Sequence, residues 1–187
     1  MKGILLCGGK SSRMGTDKAL IKHHGKTCLE HTIALFDELT LPYLVSCRED
    51  QYPTYTKYVE TKHIIIDQKK YGGPLRGLMT CFDEYSEDLF LLACDMPNMK
   101  AHHIQKLIDL YDSSPTHDVY IYVNNGRYEP LCAFYTKEGL SKIKKEVHPR
   151  EGNFSFQELL KTKLKTKQIN IKESLFLKNY NYKEDWM

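Results

Sequence analysis

The sequence predicts an α/β protein, a three-layer α/β/α sandwich in a single domain spanning residues 1–187, with a mainly parallel sheet. Short apolar runs alternate along the chain with longer amphipathic segments, which is the order of repeated strand–helix units. The apolar runs are continuous instead of alternating with polar residues, and this pattern indicates strands covered by helices on both faces. A chain of 187 residues is also long enough to bury one core.

Seven segments are predicted to be strands because each is a short run in which apolar, β-branched or aromatic residues recur. In chain order they are Gly3–Cys7, Tyr43–Cys47, His63–Ile66, Leu89–Ala93, Val119–Val123, Leu131–Tyr135 and Thr166–Ile171. Asn124, Asn125 and Gly126 follow the fifth segment, and Asn-Gly is a strong signal for a tight hairpin turn. We therefore expect one antiparallel excursion in the sheet.

The segments between the strands are predicted to be helices because their apolar residues recur every three to four positions. In chain order they are Thr27–Leu39, Gln51–Tyr58, Pro74–Tyr85, Ala101–Tyr111, Lys137–Val147, Phe154–Leu160 and a C-terminal segment from Lys183. Leu29, Ile33 and Phe36 form the apolar stripe of the first helix. His23 and His24, which precede Gly25, are expected to lie in a solvated turn.

Charge and hydropathy exclude several classes of protein. The 27 lysines and arginines nearly balance the 24 aspartates and glutamates, whereas a nucleic-acid-binding surface would need an excess of basic residues. No apolar run is long enough to span a membrane, and Lys2 leads into a strand rather than a signal peptide. The sequence therefore predicts a cytoplasmic protein that binds neither nucleic acid nor membrane.

The six cysteines are predicted to be reduced thiols in the core, because they are scattered through apolar segments without a C-x-x-C pair. A metal site made of Cys94, His102 and His103 is the alternative. It is disfavoured because zinc sites of thiolates and imidazoles rarely show this spacing.

The most informative motif is LLCGGKSSRMGTDKAL, residues 5–20, which begins inside the first strand. Its glycines and cations are Gly8, Gly9, Gly15, Lys10, Arg13 and Lys18. Glycine lets the backbone approach a ligand closely and turn its N–H groups inward, while the cations compensate negative charge. A strand that leads into such a loop is typical of an anion site, and we interpret the anion as a nucleoside triphosphate.

Two better-known phosphate loops do not fit this motif. A P-loop ending at Gly9-Lys10-Ser11 would need a glycine at position 4, where the chain has Ile4. The dinucleotide fingerprint G-x-G-x-x-G also fails, because Gly8 and Gly9 are adjacent. An ordinary glycine-rich turn with solvated lysines is the remaining alternative.

Two aspartates follow other predicted strands. Asp67 follows His63–Ile66, and Asp95 follows Leu89–Ala93. Because the carboxyl ends of parallel strands meet at one edge of a sheet, we expect both aspartates to lie beside the glycine-rich loop. Asp95 is suited to Mg²⁺, which binds one or two carboxylates together with substrate phosphates. Asp95 lies too far upstream to cap the following helix.

A second glycine turn follows Asp67. Gly72 and Gly73 precede Pro74, and a proline in the first helical turn with free backbone N–H groups before it suits an anionic or polar ligand. An ordinary loop-to-helix junction is the alternative interpretation of the glycine turn.

For the helix that begins near Lys100, Asn98 is a better candidate for the N-cap than Asp95.

The glycine-rich motif resembles the signature of a known family. GGKSSRMGTDKAL is similar to the signature loop L-A-G-G-x-S-x-R-M-G-x-D-K-A-L of the molybdenum cofactor guanylyltransferases, the MobA family. The resemblance implies a Rossmann-like nucleotidyltransferase fold and transfer of GMP from GTP to molybdopterin carrying molybdenum, with release of pyrophosphate and dependence on Mg²⁺. It also implies contacts with other proteins of molybdenum cofactor biosynthesis and with acceptor molybdoenzymes.

The resemblance assigns roles to individual residues. Arg13, Lys18 and Asp95 are the implied catalytic residues, and Asp95 and Asn181 are the implied metal ligands. The implied nucleotide-binding residues are Leu6, Cys7, Gly8, Gly9, Ser11, Ser12, Lys18, Ser46, Asp67, Gly73, Pro74, Gly77 and Asp95.

Several positions depart from the family pattern. Cys7 replaces an alanine, Ser46 stands where guanylyltransferases often carry asparagine, and Phe154 replaces an arginine in a G-x-R-S element. Glu129 resembles the acid of the family's E-P-L element, which lies on the side of the cleft that binds the acceptor substrate. The alternative is that Glu129 is an ordinary acid in a loop. Two other functions therefore stay open: a cytidylyltransferase or other nucleotidyltransferase with a different acceptor, and a non-catalytic nucleotide-binding or cofactor-carrier protein.

Overall fold

The computed structural model describes residues 1–8, 17–147, 155–172, 174–180 and 185. Its strands are β1 (Lys2–Leu6), β2 (Lys22–His23), β3 (Lys26–Thr27), β4 (Tyr43–Cys47), β5 (Ile64–Ile66), β6 (Leu89–Ala93), β7 (Val119–Asn124), β8 (Arg127–Tyr135) and β9 (Thr166–Ile171). Its α-helices are α1 (Cys28–Glu38), α2 (Tyr52–Tyr55), α3 (Leu75–Tyr85), α4 (Ala101–Ser113), α5 (Lys137–Glu146) and α6 (Phe156–Thr162).

Seven strands form the main sheet in the order β5-β4-β1-β6-β8-β7-β9, while β2 and β3 form a separate hairpin. Within the main sheet β8 is antiparallel to both of its neighbours, and the other strand pairs are parallel. The turn between β7 and β8 has a left-handed backbone at Asn125 (φ 48°) and Gly126 (φ 76°), as a tight hairpin requires. The predicted antiparallel excursion is confirmed.

Helices cover both faces of the sheet. Consecutive residues of a strand point to opposite faces, so Leu92 packs in one core cluster with residues of α1 and α4. Its neighbour Leu91 packs in the other cluster with residues of α3, α5 and α6. Both leucines are fully buried. The three-layer α/β/α sandwich predicted from the continuous apolar runs is thereby confirmed.

Most predicted elements are present with shifted ends. The segment predicted as helix Gln51–Tyr58 is helical only over Tyr52–Tyr55. Strand β8 begins at Arg127 instead of Leu131, because the hairpin continues its pairing with β7. The prediction that Asn98 caps α4 is wrong: Lys100 is the N-cap, and the Asn98 amide donates instead to Leu175 and Tyr180. The predicted segment from Lys183 lies largely outside the described residues.

The order of the strands places a crevice in the middle of the sheet. The chain passes from β1 to β4 and β5 on one side, then returns through α3 to β6 on the other side of β1. At such a reversal the connections leave the carboxyl ends of the two central strands in opposite directions and open a crevice between them.

In the described part of the chain, none of the helices combines the length and apolarity needed to cross a bilayer.

Candidate active site

A cavity of about 380 Å³ lies at the carboxyl ends of β1 and β6, beside the start of α3. The residues that line it are Leu6, Cys7, Gly8, Lys18, Asp67, Gly73, Pro74, Arg76, Gly77, Ala93, Cys94, Asp95 and Leu131. Every described residue that the sequence predicts to bind nucleotide is among them, with the exception of Ser46. Gly9, Ser11, Ser12, Arg13 and Asn181 lie outside the described residues.

Lys18 and Asp95 form an ion pair in the wall of this cavity. The Nζ atom of Lys18 donates to Oδ2 of Asp95 at 3.0 Å, although the residues are 77 positions apart. The other carboxylate oxygen, Oδ1, is buried and accepts no hydrogen bond from the described residues. A buried carboxylate oxygen without a donor is energetically costly unless a ligand or cation satisfies it. Asp95 is therefore suited to a cation that arrives with the substrate.

Asp17 fixes the start of the segment that carries Lys18. Its side chain accepts from the Ala19 N–H at 3.1 Å and caps the short 3₁₀ helix Lys18–Leu20. It also accepts from the Tyr55 hydroxyl at 2.9 Å and from the Gln51 amide at 2.7 Å. Gln51 donates in addition to the backbone oxygen of Cys7, at the end of β1. The two ends of the glycine-rich loop are thus held by one buried network.

The sequence alone did not indicate this network. Tyr55 is fully buried and Gln51 is 5% exposed. Burial raises the pKa of the Tyr55 hydroxyl, and the nearby charge of Asp17 raises it further. The hydroxyl therefore stays protonated and donates to Asp17. A tyrosine at helical spacing from apolar residues has the pattern of an ordinary core residue, so only the contact reveals its role.

We expect Tyr55→Phe to weaken both stability and nucleotide binding. The variant loses the donor to Asp17 and should lower the free energy of unfolding by about 1–2 kcal/mol. Because this network holds both ends of the glycine-rich loop, the KM for the nucleotide should rise about threefold to tenfold while kcat changes less. Tyr58→Phe, at an exposed position in the same segment, is the control. Equal nucleotide KM values for Tyr55→Phe and the wild type would contradict this role.

The carboxylate of Asp67 lies against Gly8. A Cβ atom on Gly8 would overlap Oδ2 of Asp67, so only glycine leaves space for this carboxylate. Oδ1 of Asp67 accepts from the hydroxyl of Ser46, which is fully buried beneath the cavity. The Asp67 carboxylate therefore occupies the space that the missing side chain of Gly8 leaves open.

Cations surround Asp67. Burial raises the pKa of the Asp67 carboxyl, while the Ser46 hydrogen bond and the charges of Arg76 and Arg48 lower it. Arg48 also donates to the backbone oxygen of Gly8 at 3.1 Å. Asp67 is consequently held in place as a hydrogen-bond acceptor at the side of the cavity away from Asp95.

Gly8→Ala is expected to displace the Asp67 carboxylate. The overlap can be relieved only by moving Asp67 or the end of β1, at a cost of about 1–3 kcal/mol in stability. We expect kcat/KM for the nucleotide to fall at least about tenfold. Gly72→Ala is the matched control, because a Cβ atom there meets nothing within 4 Å. Similar kcat/KM values for both variants would contradict the assigned role of Gly8.

The second glycine turn packs α3 onto the sheet. Gly73 has a left-handed backbone (φ 55°), and Pro74 is the N-cap residue of α3. A Cβ atom on Gly77 would overlap Oγ of Ser46 and Cδ2 of Leu6. Gly77 thereby allows the first turn of α3 to approach the carboxyl ends of β1 and β4 closely.

One further side chain, that of Glu129, bears on the chemistry of the site. Burial raises the pKa of the Glu129 carboxyl to about 7, and the charge of Asp95 adds to this effect. Glu129 is therefore a half-buried acid on β8 that titrates near neutral pH.

Among the described residues no three histidines, cysteines or acids are arranged to bind a metal. Cys94, His102 and His103 form no such group.

The comparisons with known proteins agree with this geometry. A probable molybdenum cofactor guanylyltransferase from Thermococcus sibiricus is 28% identical over 193 residues, covering 99% of this chain and 95% of the relative. The molybdopterin-guanine dinucleotide biosynthesis protein A of Archaeoglobus fulgidus superposes with a TM-score of 0.80 at 21% identity, covering 100% of this chain and 95% of that one. A manganese complex of Rv0371C from Mycobacterium tuberculosis superposes with a TM-score of 0.67 at 10% identity, covering 92% and 89% of the two chains.

The fold and the family match together define the class: the chain is a nucleotidyltransferase, with a cavity at the reversal point of a doubly wound sheet. Residues 3–165 match the family model of the MobA-like NTP transferase domain, and the chain belongs to that family.

Proposed function

We propose that this protein transfers GMP from GTP to molybdopterin carrying molybdenum and releases pyrophosphate. The observation that carries the proposal is the Lys18–Asp95 pair, which places a cation and a carboxylate side by side in the wall of one nucleotide-sized cavity. The name of the relative from Thermococcus sibiricus supports the same reaction. The loop signature that contains Lys18 supports it as well.

The reaction needs positioning and charge compensation more than a covalent nucleophile. The acceptor phosphate is already ionised near neutral pH and attacks the α-phosphorus directly, so no general base is assigned. Lys18 would contact the α-phosphate, where negative charge is redistributed during attack. Gly8, Gly9, Ser11, Ser12 and Arg13 would hold the β- and γ-phosphates and stabilise the departing pyrophosphate.

Asp95 fits Mg²⁺ because its Oδ1 atom is buried without a donor from the described residues. One carboxylate is a usual protein contribution for Mg²⁺, with substrate phosphates and water as the other ligands. When bound, the ion would neutralise phosphate charge and orient the two substrates. The manganese complex of the structural neighbour from Mycobacterium tuberculosis is consistent with a divalent cation in this fold. Asn181 remains the proposed second ligand.

Asp67 favours guanine as the base. A carboxylate only accepts hydrogen bonds, and the Watson–Crick edge of guanine presents two adjacent donors, at N1 and at the N2 amino group. Cytosine presents an amino group beside the acceptor N3, which would face a carboxylate oxygen unfavourably. Because Ser46 and Gly8 fix the carboxylate, Asp67 can discriminate between the two bases.

The wider assignments follow from the proposed reaction. We place the protein in the cytoplasm, where GTP is available, with molybdopterin as the acceptor. Other proteins of molybdenum cofactor biosynthesis and the acceptor molybdoenzymes are its proposed partners.

The proposal is tested by measuring pyrophosphate release with each nucleoside triphosphate in the presence of molybdopterin and Mg²⁺. We expect turnover with GTP and a kcat/KM for CTP at least about 100-fold lower. A preference for CTP would overturn the guanine assignment. Tight binding of GTP without pyrophosphate release would support the carrier function instead.

A further inference from the structure

A second cavity, of about 850 Å³, lies beside the candidate active site. It is bordered by the β2–β3 hairpin, the first residues of α1 and α4, and the segment that follows β9. Four of the side chains that line it are His23, His24, His31 and His103. We call this cavity the histidine cleft.

The described residues that can carry charge in the histidine cleft near neutral pH are basic. Lys26, Lys100 and Lys172 also line it, and among its described lining residues there is no aspartate or glutamate. This is unusual in a chain with 24 acidic residues. Burial lowers the pKa of the His23 imidazole, and repulsion from His24 and His31 lowers it further. An anionic ligand would reduce the electrostatic repulsion between basic groups that are held this close together.

One wall of the histidine cleft is aromatic and apolar. The ring of Phe176 stacks on that of His103, with centroids 3.8 Å apart and an interplanar angle of 11°. Leu175, which also lines the cleft, is 73% exposed. A large apolar side chain exposed beside a stacked ring pair suits a ligand with a flat, partly apolar body.

The histidine cleft is connected to Asp95 through the C-terminal segment. Asn98 lines the cleft and donates to the hydroxyl of Tyr180 at 3.0 Å. The backbone N–H of Tyr180 in turn donates to the backbone oxygen of Asp95 at 2.8 Å. The His23 ring contacts the Tyr180 ring edge-on, with centroids 6.2 Å apart. A ligand in the cleft can therefore present a phosphate at the border of the nucleotide cavity.

We propose that the histidine cleft binds the acceptor substrate, a phosphate monoester attached to a planar ring system. Lys26, Lys100 and Lys172 compensate the negative charge, Leu175 and Phe176 contact the ring system, and the phosphate lies toward Asp95. This inference rests on the proposed function, because it supplies the acceptor site which that reaction requires.

The first test measures the KM for molybdopterin in the double variant Lys26→Glu with Lys172→Glu. Both lysines are exposed, so the variant should fold. We expect the KM for molybdopterin to rise about tenfold while the KM for GTP stays unchanged. The matched control is Lys57→Glu with Lys145→Glu, which makes the same charge change at exposed positions away from the cleft. An unchanged KM for molybdopterin would overturn the inference and leave the proposed function intact.

A second measurement does not depend on turnover. Molybdopterin is titrated into the full chain without GTP while the ring resonances of the histidines are followed by NMR, assigned with His24→Asn and His31→Asn variants. We expect saturable shifts of these resonances, and weaker binding in Leu175→Ser. Unperturbed histidine resonances at saturating molybdopterin would overturn the inference. A wild-type protein that shows the shifts but transfers no GMP would contradict the proposed function alone.

Discussion

Asp95→Asn is expected to lower kcat for GMP transfer by about 1,000-fold or more while the protein still folds. Asparagine keeps the shape of the side chain but removes the negative charge that would hold the divalent cation. Loss of cation-mediated charge compensation at a phosphate costs several kcal/mol of transition-state stabilisation, and about 4 kcal/mol corresponds to this factor. The amide oxygen of the asparagine can still accept from Lys18, so the loss of stability should not exceed the value of about 1–3 kcal/mol expected for breaking the ion pair.

Two measurements separate this effect from general damage. Turnover is compared with that of Asp112→Asn, a variant with the same chemical change at an exposed position on α4. Thermal unfolding is then followed with GTP as Mg²⁺ is added, since a ligand that binds only the folded state raises Tm. We expect Mg²⁺ to raise the Tm of the wild type more than that of Asp95→Asn. Turnover of Asp95→Asn within tenfold of the wild type would contradict the metal role.

Lys18→Met is expected to lower kcat by about 100-fold to 1,000-fold, since it removes the cation that the proposed reaction places at the α-phosphate. It should also destabilise the protein by about 1–3 kcal/mol, because Asp95 loses the ammonium group at 3.0 Å. Lys18→Arg keeps the charge but not the compact ammonium group, so we expect it to restore stability better than turnover.

A double-mutant cycle tests whether Lys18 and Asp95 act as one unit. The combined variant Lys18→Met with Asp95→Asn no longer buries a carboxylate without its cation. It should therefore be more stable than Lys18→Met alone. Lys22→Met, at an exposed position in the same segment, is the control. Additive losses of stability and of turnover in the double variant would contradict the coupling of the two residues.

The elements of the fold could be predicted from the sequence where local patterns were strong. The buried strand Leu89–Ala93 has the predicted bounds, because five consecutive apolar residues fit a strand covered on both faces and are too few for a buried helix. Helix α2 is shorter than predicted, and the β2–β3 hairpin was described only as a turn. In both segments few apolar residues repeat at a fixed spacing, so tertiary contacts decide the local structure.

The convergence of Lys18, Asp67 and Asp95 could also be predicted, because each follows the carboxyl end of a predicted strand. The loops that follow parallel strands lie at the same edge of the sheet, so residues in these loops come close together whatever their distance along the chain. The roles within the site could not be predicted in the same way. The Asp67 carboxylate lies against Gly8, and these two residues meet only because β1, β4 and β5 are neighbours in the sheet.

By itself, the sequence determined the alternation of strands and helices, the family-specific loop and the acids that close the strands, since each is a local pattern of residue types. Only the tertiary structure decided which side chains touch: the Asp17–Tyr55 hydrogen bond, the contact of Gly8 with Asp67, and the one-sided charge of the histidine cleft. The physical reason is that these contacts join residues from separate elements. Hydrogen bonding and packing act between atoms in space, whereas a pattern along the chain records only its own element.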